Sequence, residues 1–127
     1  MALKSILLHL DRDRRNDARA RMAIDLAARH QAHLIGLFAY SEPLHYGLAA
    51  AQASLMQEII DRAEKEALEA GKVLRAEFEI AAAAAGLSFE WHYEAGDTYA
   101  ELVRHAYHSD LVVLGQFDPK EANPFVS

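Results

Sequence analysis

Two short apolar runs constrain the fold of this chain more than any other feature. Residues 6–10 lead into Asp11, and residues 111–114 lead into Gly115. Runs of this length, apolar at nearly every position and bounded by polar residues, are typical of strands buried on both faces of a parallel sheet. In such sheets, ligands bind beyond the carboxyl ends of the strands. The sequence therefore predicts a binding crevice near Asp11 and Gly115.

A long amphipathic pattern in the middle of the chain predicts a helix of about eight turns. Charged residues fill its other face, and Gly86 supplies the residue that ends it. We expect the apolar face to pack on the sheet in any arrangement of the fold. That face consists of Leu55, Ile59, Ala63, Ala67, Gly71, Leu74, Phe78, Ala81 and Ala85.

A shorter helix is predicted immediately after the first strand, over about residues 16–30. Its apolar residues Ala18, Met22 and Leu26 recur every fourth position, with Ala23 and Ala27 beside them, which is the pattern of an amphipathic helix. Arg19 lies elsewhere on this helix. We therefore expect the face that carries the apolar residues to pack on the sheet.

Two further strands complete the pattern. Residues 33–40 are apolar at their centre, and residues 88–94 alternate aromatic with polar side chains, as in an edge strand with one wet face. Thr98, with Glu101 three residues later, then forms a capping box for a helix that ends near residue 108. The order is β-α-β-α-β-α-β, which predicts a three-layer α/β sandwich with a parallel sheet.

Length, charge and composition limit the classes of function. The 127 residues make one domain, large enough to bury about two-thirds of its unfolded surface. A formal charge of −6 opposes binding to nucleic acid or to an anionic membrane, and neither partner is expected. The absence of cysteine excludes disulfides and thiolate chemistry. No signal-peptide pattern begins the chain, so we expect a cytoplasmic protein.

Several segments of the sequence resemble the universal stress protein family, within the larger group of adenine-nucleotide α-hydrolase-like α/β folds. The most specific are residues 96–102, Gly-Asp-Thr-Tyr-Ala-Glu-Leu, and residues 109–115, Ser-Asp-Leu-Val-Val-Leu-Gly. The first strand into Asp11 and the long second helix match as well. The resemblance implies the strand order 3-2-1-4, continued by a fifth strand in complete members, with a switch point between the first and fourth strands.

The resemblance also implies which residues would bind ATP or AMP. Members that bind ATP carry an Asp after the first strand, a small apolar residue near the end of the second, and the motif G-x2-G-x9-G-[S/T] after the fourth. Asp11, Ala39 and Gly115 stand at these positions. The second glycine falls at Asp118, whose carboxylate repels phosphate and whose side chain prevents close approach of the backbone. Nucleotide binding is therefore expected to be weak or lost.

The last twelve residues depart most from the family pattern. Residues 116–127 contain two prolines and predict neither helix nor strand, so the domain is assigned to residues 1–115 and the rest to an irregular tail. The family's final helix and fifth strand are expected to be missing. Three interpretations of this departure stay open: a stand-alone fragment, a piece of a longer parent, and the first half of a tandem protein. We favour a piece of a longer parent. The fourth strand would then need a cover, which favours a homo-oligomer or a partner domain.

Each candidate site residue has a simpler structural interpretation. Asp11 either binds a ribose hydroxyl or pairs with a nearby arginine, and Gly115 either approaches a phosphate or only turns the chain. His9 lies within a buried strand and is interpreted as a hydrogen-bonded core residue rather than a base.

The spacing of four other histidines has two interpretations as well. His30 with His33, and His105 with His108, are three residues apart and would share a helix face. They carry no zinc-enzyme signature, so we interpret them as surface histidines and predict no metal site.

Three classes of function follow from these patterns. A non-catalytic stress-response module that works by association is favoured. An ATP- or AMP-binding switch with slow or no hydrolysis, which would use Asp11, Ala39 and Gly115, is the second. A small-molecule enzyme is disfavoured, because the sequence assembles no acid, base and nucleophile.

Overall fold

The computed structural model describes residues 3–12, 16–40 and 50–115 of the chain. Within these residues, strands and helices alternate in the predicted order. The elements are β1 (Ser5–Leu10), α1 (Asn16–His30), β2 (His33–Tyr40), α2 (Ala50–Ala84), β3 (Phe89–Ala95), α3 (Thr98–Ala106) and β4 (Leu111–Val113). No helix in this part of the chain is both long enough and apolar enough to span a bilayer.

The strands form one parallel sheet in the order β3-β2-β1-β4, so the predicted order 3-2-1-4 is confirmed. In the centre of the sheet, Leu8 of β1 lies opposite Gly36 of β2 on one side and Val113 of β4 on the other. β3 pairs with β2 as an edge strand, as predicted. Because the chain moves from β1 to β2 in one direction and returns to β4 on the other side, the switch point falls between β1 and β4.

The main core lies between the sheet and the helices α1 and α2. Ile6, Leu8 and Leu34 are fully buried on this face of the sheet. They pack with Ala23 of α1 and Phe78 of α2 in one apolar cluster. α3 contacts β1 and β2 on the opposite face. The apolar strand runs are therefore covered on both sides, which explains why they do not alternate.

The face of α1 that packs on the sheet agrees only in part with the predicted apolar face. Ala23 is fully buried and Arg19 is only 6 % exposed, whereas Ala18 is exposed and Met22 is 58 % exposed. Small alanines allow a close approach of the helix to the sheet, and the turn that carries Arg19 lies near the ends of β1 and β4. The prediction is therefore confirmed for Ala23 and Ala27, and it was wrong for Ala18 and Met22, which are exposed, and for Arg19, which is buried.

The predicted apolar face of α2 is confirmed only in its second half. Ala67 and Phe78 are buried, but Leu55 is 61 % exposed and Ile59 is exposed, while Ile60 is buried instead. Ala85, the last residue of the predicted face, follows the helix and is exposed. A helix of 35 residues is about 52 Å long, whereas the eight residues of β2 extend about 26 Å. The first turns of α2 therefore reach beyond the sheet on which the rest of the helix packs.

The ends of two helices have the expected kinds of cap, one of them shifted by a residue. Gly86 follows α2 with φ of 72°, as predicted for the residue that ends this helix. At α3 the N-cap is Asp97 and not Thr98, because the Asp97 carboxylate accepts a hydrogen bond from the N–H of Ala100 at 3.0 Å. The division into a domain of residues 1–115 and a tail stays a prediction. The predictions for residues 116–127, including Asp118 and the fifth strand, lie outside the described residues.

Candidate functional site

The carboxyl ends of β1 and β4 bring Asp11, Arg19 and Gly115 together. Nη1 of Arg19 donates a hydrogen bond to the carbonyl oxygen of His9 at 2.9 Å and lies 3.6 Å from Oδ2 of Asp11. Gly115 lies so close to the guanidinium that a Cβ on this residue would overlap it. Arg19 thus occupies the space between the ends of the two strands.

The loop after β1 is held in place by Asn16, the first residue of α1. The side-chain oxygen of Asn16 accepts a hydrogen bond from the N–H of Asp11 at 3.3 Å, and its side-chain nitrogen donates to the Asp11 carbonyl. These two bonds fix the Asp11 backbone, while its side chain stays 42 % exposed. Of the two interpretations of Asp11, pairing with an arginine is therefore present in the structure.

Ala39 lies near the end of β2, opposite Glu94 of β3, and it is nearly buried. Because the strands are parallel, Ala39 is at the same edge of the sheet as Asp11 and Gly115, one strand further from the switch point. The structure therefore brings the sequence-predicted site residues to one edge, with Arg19 as a member that the sequence did not indicate.

His9 lies in β1 below this crevice. Its Nε2 is buried and has no hydrogen-bond partner among the residues described, so the predicted hydrogen bond of this core histidine is not found at that atom. Burial lowers the pKa of the imidazole from its usual 6.5, the Asp11 charge opposes this effect, and the Arg19 charge adds to it. The ring is therefore neutral at pH 7.

An open groove of about 540 Å³ runs beside Asp11, between α1 and α2. Its border includes the carboxylates of Asp11, Asp17 and Glu77, and Arg12 is the one cationic residue among its described lining. Three carboxylates against one guanidinium make this groove attractive to cations and repulsive to phosphates.

A second polar cluster lies between β3 and α3. His92 and Glu94 share one face of β3, and His105 comes from α3. One potential ligand atom from each of these residues lies within 4.8 Å of the other two. The rings of His92 and His105 are 4.7 Å apart between centroids and tilted by 43°. Sequence reasoning missed this cluster, because packing of α3 on the sheet joins residues that no local spacing relates.

Glu90 connects this cluster to the neighbouring strand. Its Oε2 lies 2.5 Å from Nε2 of His92, and its Oε1 lies 2.7 Å from Nε2 of His33. Hydrogen bonds from these rings, the one from His92 first, hold the pKa of the Glu90 carboxyl below its usual value. A carboxylate that accepts from both rings fixes the orientation of each.

The histidine pairs that the sequence singled out have different neighbours in the described structure. Nδ1 of His30 accepts a hydrogen bond from the N–H of Leu3, whereas His33 faces β3. His105 belongs to the cluster on β3, and His108 packs edge-on against the adjacent tyrosine ring. Of the four histidines in these two pairs, His105 is therefore the one that belongs to the cluster.

Together, the parallel sheet, the helices on both of its faces and the crevice at the switch point define an α/β domain of the class in which nucleotides bind between strand ends. The sequence model of the universal stress protein family matches residues 2–120, and the chain belongs to this family. A search of curated protein sequences found no match.

Three solved structures illustrate how widely the fold is shared. Universal stress protein UspA from Lactobacillus plantarum has a TM-score of 0.68 at 20% identity, over 96% of this chain and 85% of that chain. A universal stress protein in complex with cAMP has 0.63 at 24% identity, over 91% and 77%. Hypothetical protein MJ0577 has 0.70 at 12% identity, over 97% and 81%. At these identities the similarity shows the fold alone.

Proposed function

We propose that this universal stress protein acts in the stress response by association with a second copy of itself, and that its crevice binds ATP or AMP weakly or not at all. Arg19 carries the second part of this proposal. Its guanidinium lies against Gly115, the residue that stands at the first glycine of the family's phosphate-binding motif. A phosphate that approached the backbone there would have to displace Arg19.

Arg19 blocks the crevice rather than serving as a phosphate ligand, because its charge already has partners. It is 6 % exposed, it donates to the His9 carbonyl, and it pairs with Asp11. Moving the guanidinium toward a phosphate would leave the His9 carbonyl without this bond, which costs about 1–3 kcal/mol where the group is buried. The acidic groove beside Asp11 opposes a triphosphate further.

A nucleotide-binding switch is the second candidate. It is supported by the structure of a universal stress protein in complex with cAMP, which shares the fold at 24% identity. In this candidate Arg19 leaves Asp11 and donates to the ligand, while Asp11 and Ala39 take the roles that the family resemblance implies. The two candidates therefore differ in what Arg19 does.

Calorimetric titration with Mg-ATP, AMP and cAMP separates the two candidates. We expect no micromolar binding by the wild type, and Arg19→Met should leave the affinity unchanged or increase it. Arg29→Met is the matched control, because Arg29 is exposed on the same helix. A micromolar dissociation constant for the wild type that weakens at least tenfold in Arg19→Met would overturn the proposal and establish the switch.

The proposed association uses the edge of β4. Among the described residues β4 pairs with β1 alone, and Leu114 directly after it is 51 % exposed. An unpaired strand edge with apolar neighbours offers backbone hydrogen bonds together with apolar burial to another strand. Pairing with the same strand of a second copy would give a two-fold symmetric dimer, the commonest oligomer.

Helix α3 supplies a second apolar surface that supports association. Tyr99, Val103 and Tyr107 follow one another at intervals of four residues, and all three are exposed. Residues at this spacing share a helix face. Exposed aromatic residues grouped in this way are typical of protein interaction surfaces.

Light scattering after size exclusion tests the association. We expect about twice the chain mass of 14.1 kDa. Leu114→Lys should shift the protein toward monomer, whereas Ile80→Lys, at an exposed position on α2, should not. We prefer Leu114 to Val113 for this test, because Val113 is buried and a lysine there would damage the core. A wild type that stays monomeric at high micromolar concentration would refute the association.

A further inference from the structure

We propose that His92, Glu94 and His105 form a binding site for Zn²⁺ or a similar divalent transition-metal ion. Two imidazoles and one carboxylate are a donor set that zinc accepts, and three protein ligands leave a fourth position for water. The residues lie on a strand and a helix, which hold ligands more precisely than loops do.

The distances within the cluster are close to those of a metal site. Nε2 of His105 and Oε1 of Glu94 are 3.4 Å apart. Two ligand atoms bound to one tetrahedral zinc ion are separated by about 3.3 Å, given bond lengths near 2.0 Å. One potential ligand atom of each residue lies within 4.8 Å of the other two, so the separations between them have to shorten by about 1.5 Å at most. A change in side-chain torsion angles suffices for a shift of this size.

Arg104 already places a positive charge at these ligand atoms. Its Nη2 lies 3.1 Å from Oε1 of Glu94, 3.2 Å from Nε2 of His105 and 2.6 Å from Oε2 of Glu101. A guanidinium can only donate, so in the tautomer in which Nε2 of His105 accepts from Arg104 the lone pair of this nitrogen faces the cluster. A divalent ion would replace the guanidinium, whose side chain is 58 % exposed and can turn into solvent.

Glu90 orients His92, the third ligand of the proposed site. Its carboxylate accepts from Nε2 of His92, which leaves Nδ1 as the nitrogen of His92 that can bind a metal. A carboxylate that holds the other nitrogen of a metal-binding imidazole is a recurrent arrangement, because it fixes the ring and raises its basicity. Glu90 therefore serves as a positioning residue for His92.

The local charge favours a divalent cation. The carboxylates of Glu94 and Glu101 contact Arg104, and the carboxylate of Glu90 lies against His92. Departure of the guanidinium on metal binding leaves the ion with an excess of negative charge around it. In the sequence, the polar face of β3 has the pattern of a solvated strand face. The structure makes it a candidate site for divalent cations.

Titration of the tag-free chain with Zn²⁺ against a chromophoric chelator tests the site, and Co²⁺ serves as a spectroscopic probe. We expect one equivalent per chain, with visible Co²⁺ absorption bands that disappear in Glu94→Gln. His92→Ala and His105→Ala should each weaken binding more than hundredfold, and Glu90→Gln about tenfold to hundredfold. His108→Ala is the matched control, because His108 is an exposed histidine outside the cluster.

Arg104→Ala gives a test that a loss of folding cannot imitate. Because the competing positive charge is removed, Zn²⁺ should bind more tightly than in the wild type. Unchanged or weaker binding in Arg104→Ala would overturn the proposal, as would a loss of affinity in His108→Ala equal to that in His105→Ala.

Discussion

Arg19 and Gly115 are in direct contact at the junction of α1 and β4, and each limits what the other can be. A Cβ at residue 115 would overlap the guanidinium, so Gly115→Ala should displace Arg19 from the His9 carbonyl and from Asp11. Loss of a buried hydrogen bond to a charged donor costs about 1–3 kcal/mol. We expect the free energy of unfolding, measured in urea, to fall by about that amount.

A second background isolates this contact. In Arg19→Met the side chain is flexible and has no bonds to lose, so the further change Gly115→Ala should cost much less than it does in the wild type. An equal cost in both backgrounds would show that the strain of the substitution lies elsewhere, and that Arg19 does not depend on glycine at this position.

Gly36 has a comparable role in the core, beneath two aromatic rings. A Cβ at this position would lie 2.9 Å from Cε3 of Trp91 and 3.0 Å from Cε2 of Phe78, whose rings are 5.5 Å apart between centroids. Alanine in a strand gains about 0.5–1 kcal/mol over glycine, but overpacking costs about 1–3 kcal/mol. We therefore expect Gly36→Ala to destabilise the protein.

Fluorescence can follow this substitution directly, because Trp91 is the only tryptophan of the chain. Gly36→Ala should lower the urea midpoint and shift the emission of the folded protein, since the ring has to move. An unchanged midpoint together with unchanged emission would mean that the rings do not need glycine beneath them.

The fold could be predicted from the sequence because its strands are buried on both faces. The runs that contain Leu8 and Val113 are apolar without alternation, and only a sheet covered on both sides explains such runs of this length. The strand order came from the family resemblance rather than from periodicity. The edge position of β3 followed from its alternating side chains, which indicate one wet face.

The crevice could be predicted only in part. Asp11 and Gly115 follow strands, so their positions are evident from the sequence, but Arg19 is a charged residue in an amphipathic helix and is expected in solvent. It is buried because the His9 carbonyl and Asp11 satisfy it, and these contacts exist only after the sheet has formed. The contact of His105 with β3 was missed for the same reason.

Gln31 offers a stabilising substitution at the end of α1. It has φ of 52°, in the left-handed region, and the next residue closes the helix by a hydrogen bond from Ala32 to Ala27 at 2.9 Å. This conformation costs a side-chain-bearing residue about 1–2 kcal/mol, which glycine avoids at a smaller entropic cost. Gln31→Gly should therefore raise the melting temperature by about 2–4 °C. Gln31→Ala retains the strain and serves as the control, and a melting temperature lowered by glycine would contradict this account.

His9 should make the stability of the protein depend on pH between neutrality and mild acid. Burial lowers its pKa in the folded state below 6.5, so the unfolded chain takes up the proton first as the pH falls. Above about pH 6.5 the neutral ring does not lower the free energy of unfolding. This free energy decreases as the pH falls from there toward the folded-state pKa of His9, and below that pKa the effect of His9 is constant.

The substitution His9→Leu removes this titration and also removes the buried Nε2 that has no partner among the described residues. Urea unfolding at pH 7.5 and pH 5.5 provides the comparison, and the other histidines contribute equally to both proteins. We expect the wild type to lose more stability between these pH values than His9→Leu, because only the wild type has to keep a buried imidazole ring neutral. Equal losses in the two proteins would show that His9 titrates alike in the folded and unfolded states, and that burial below the crevice does not hold it neutral.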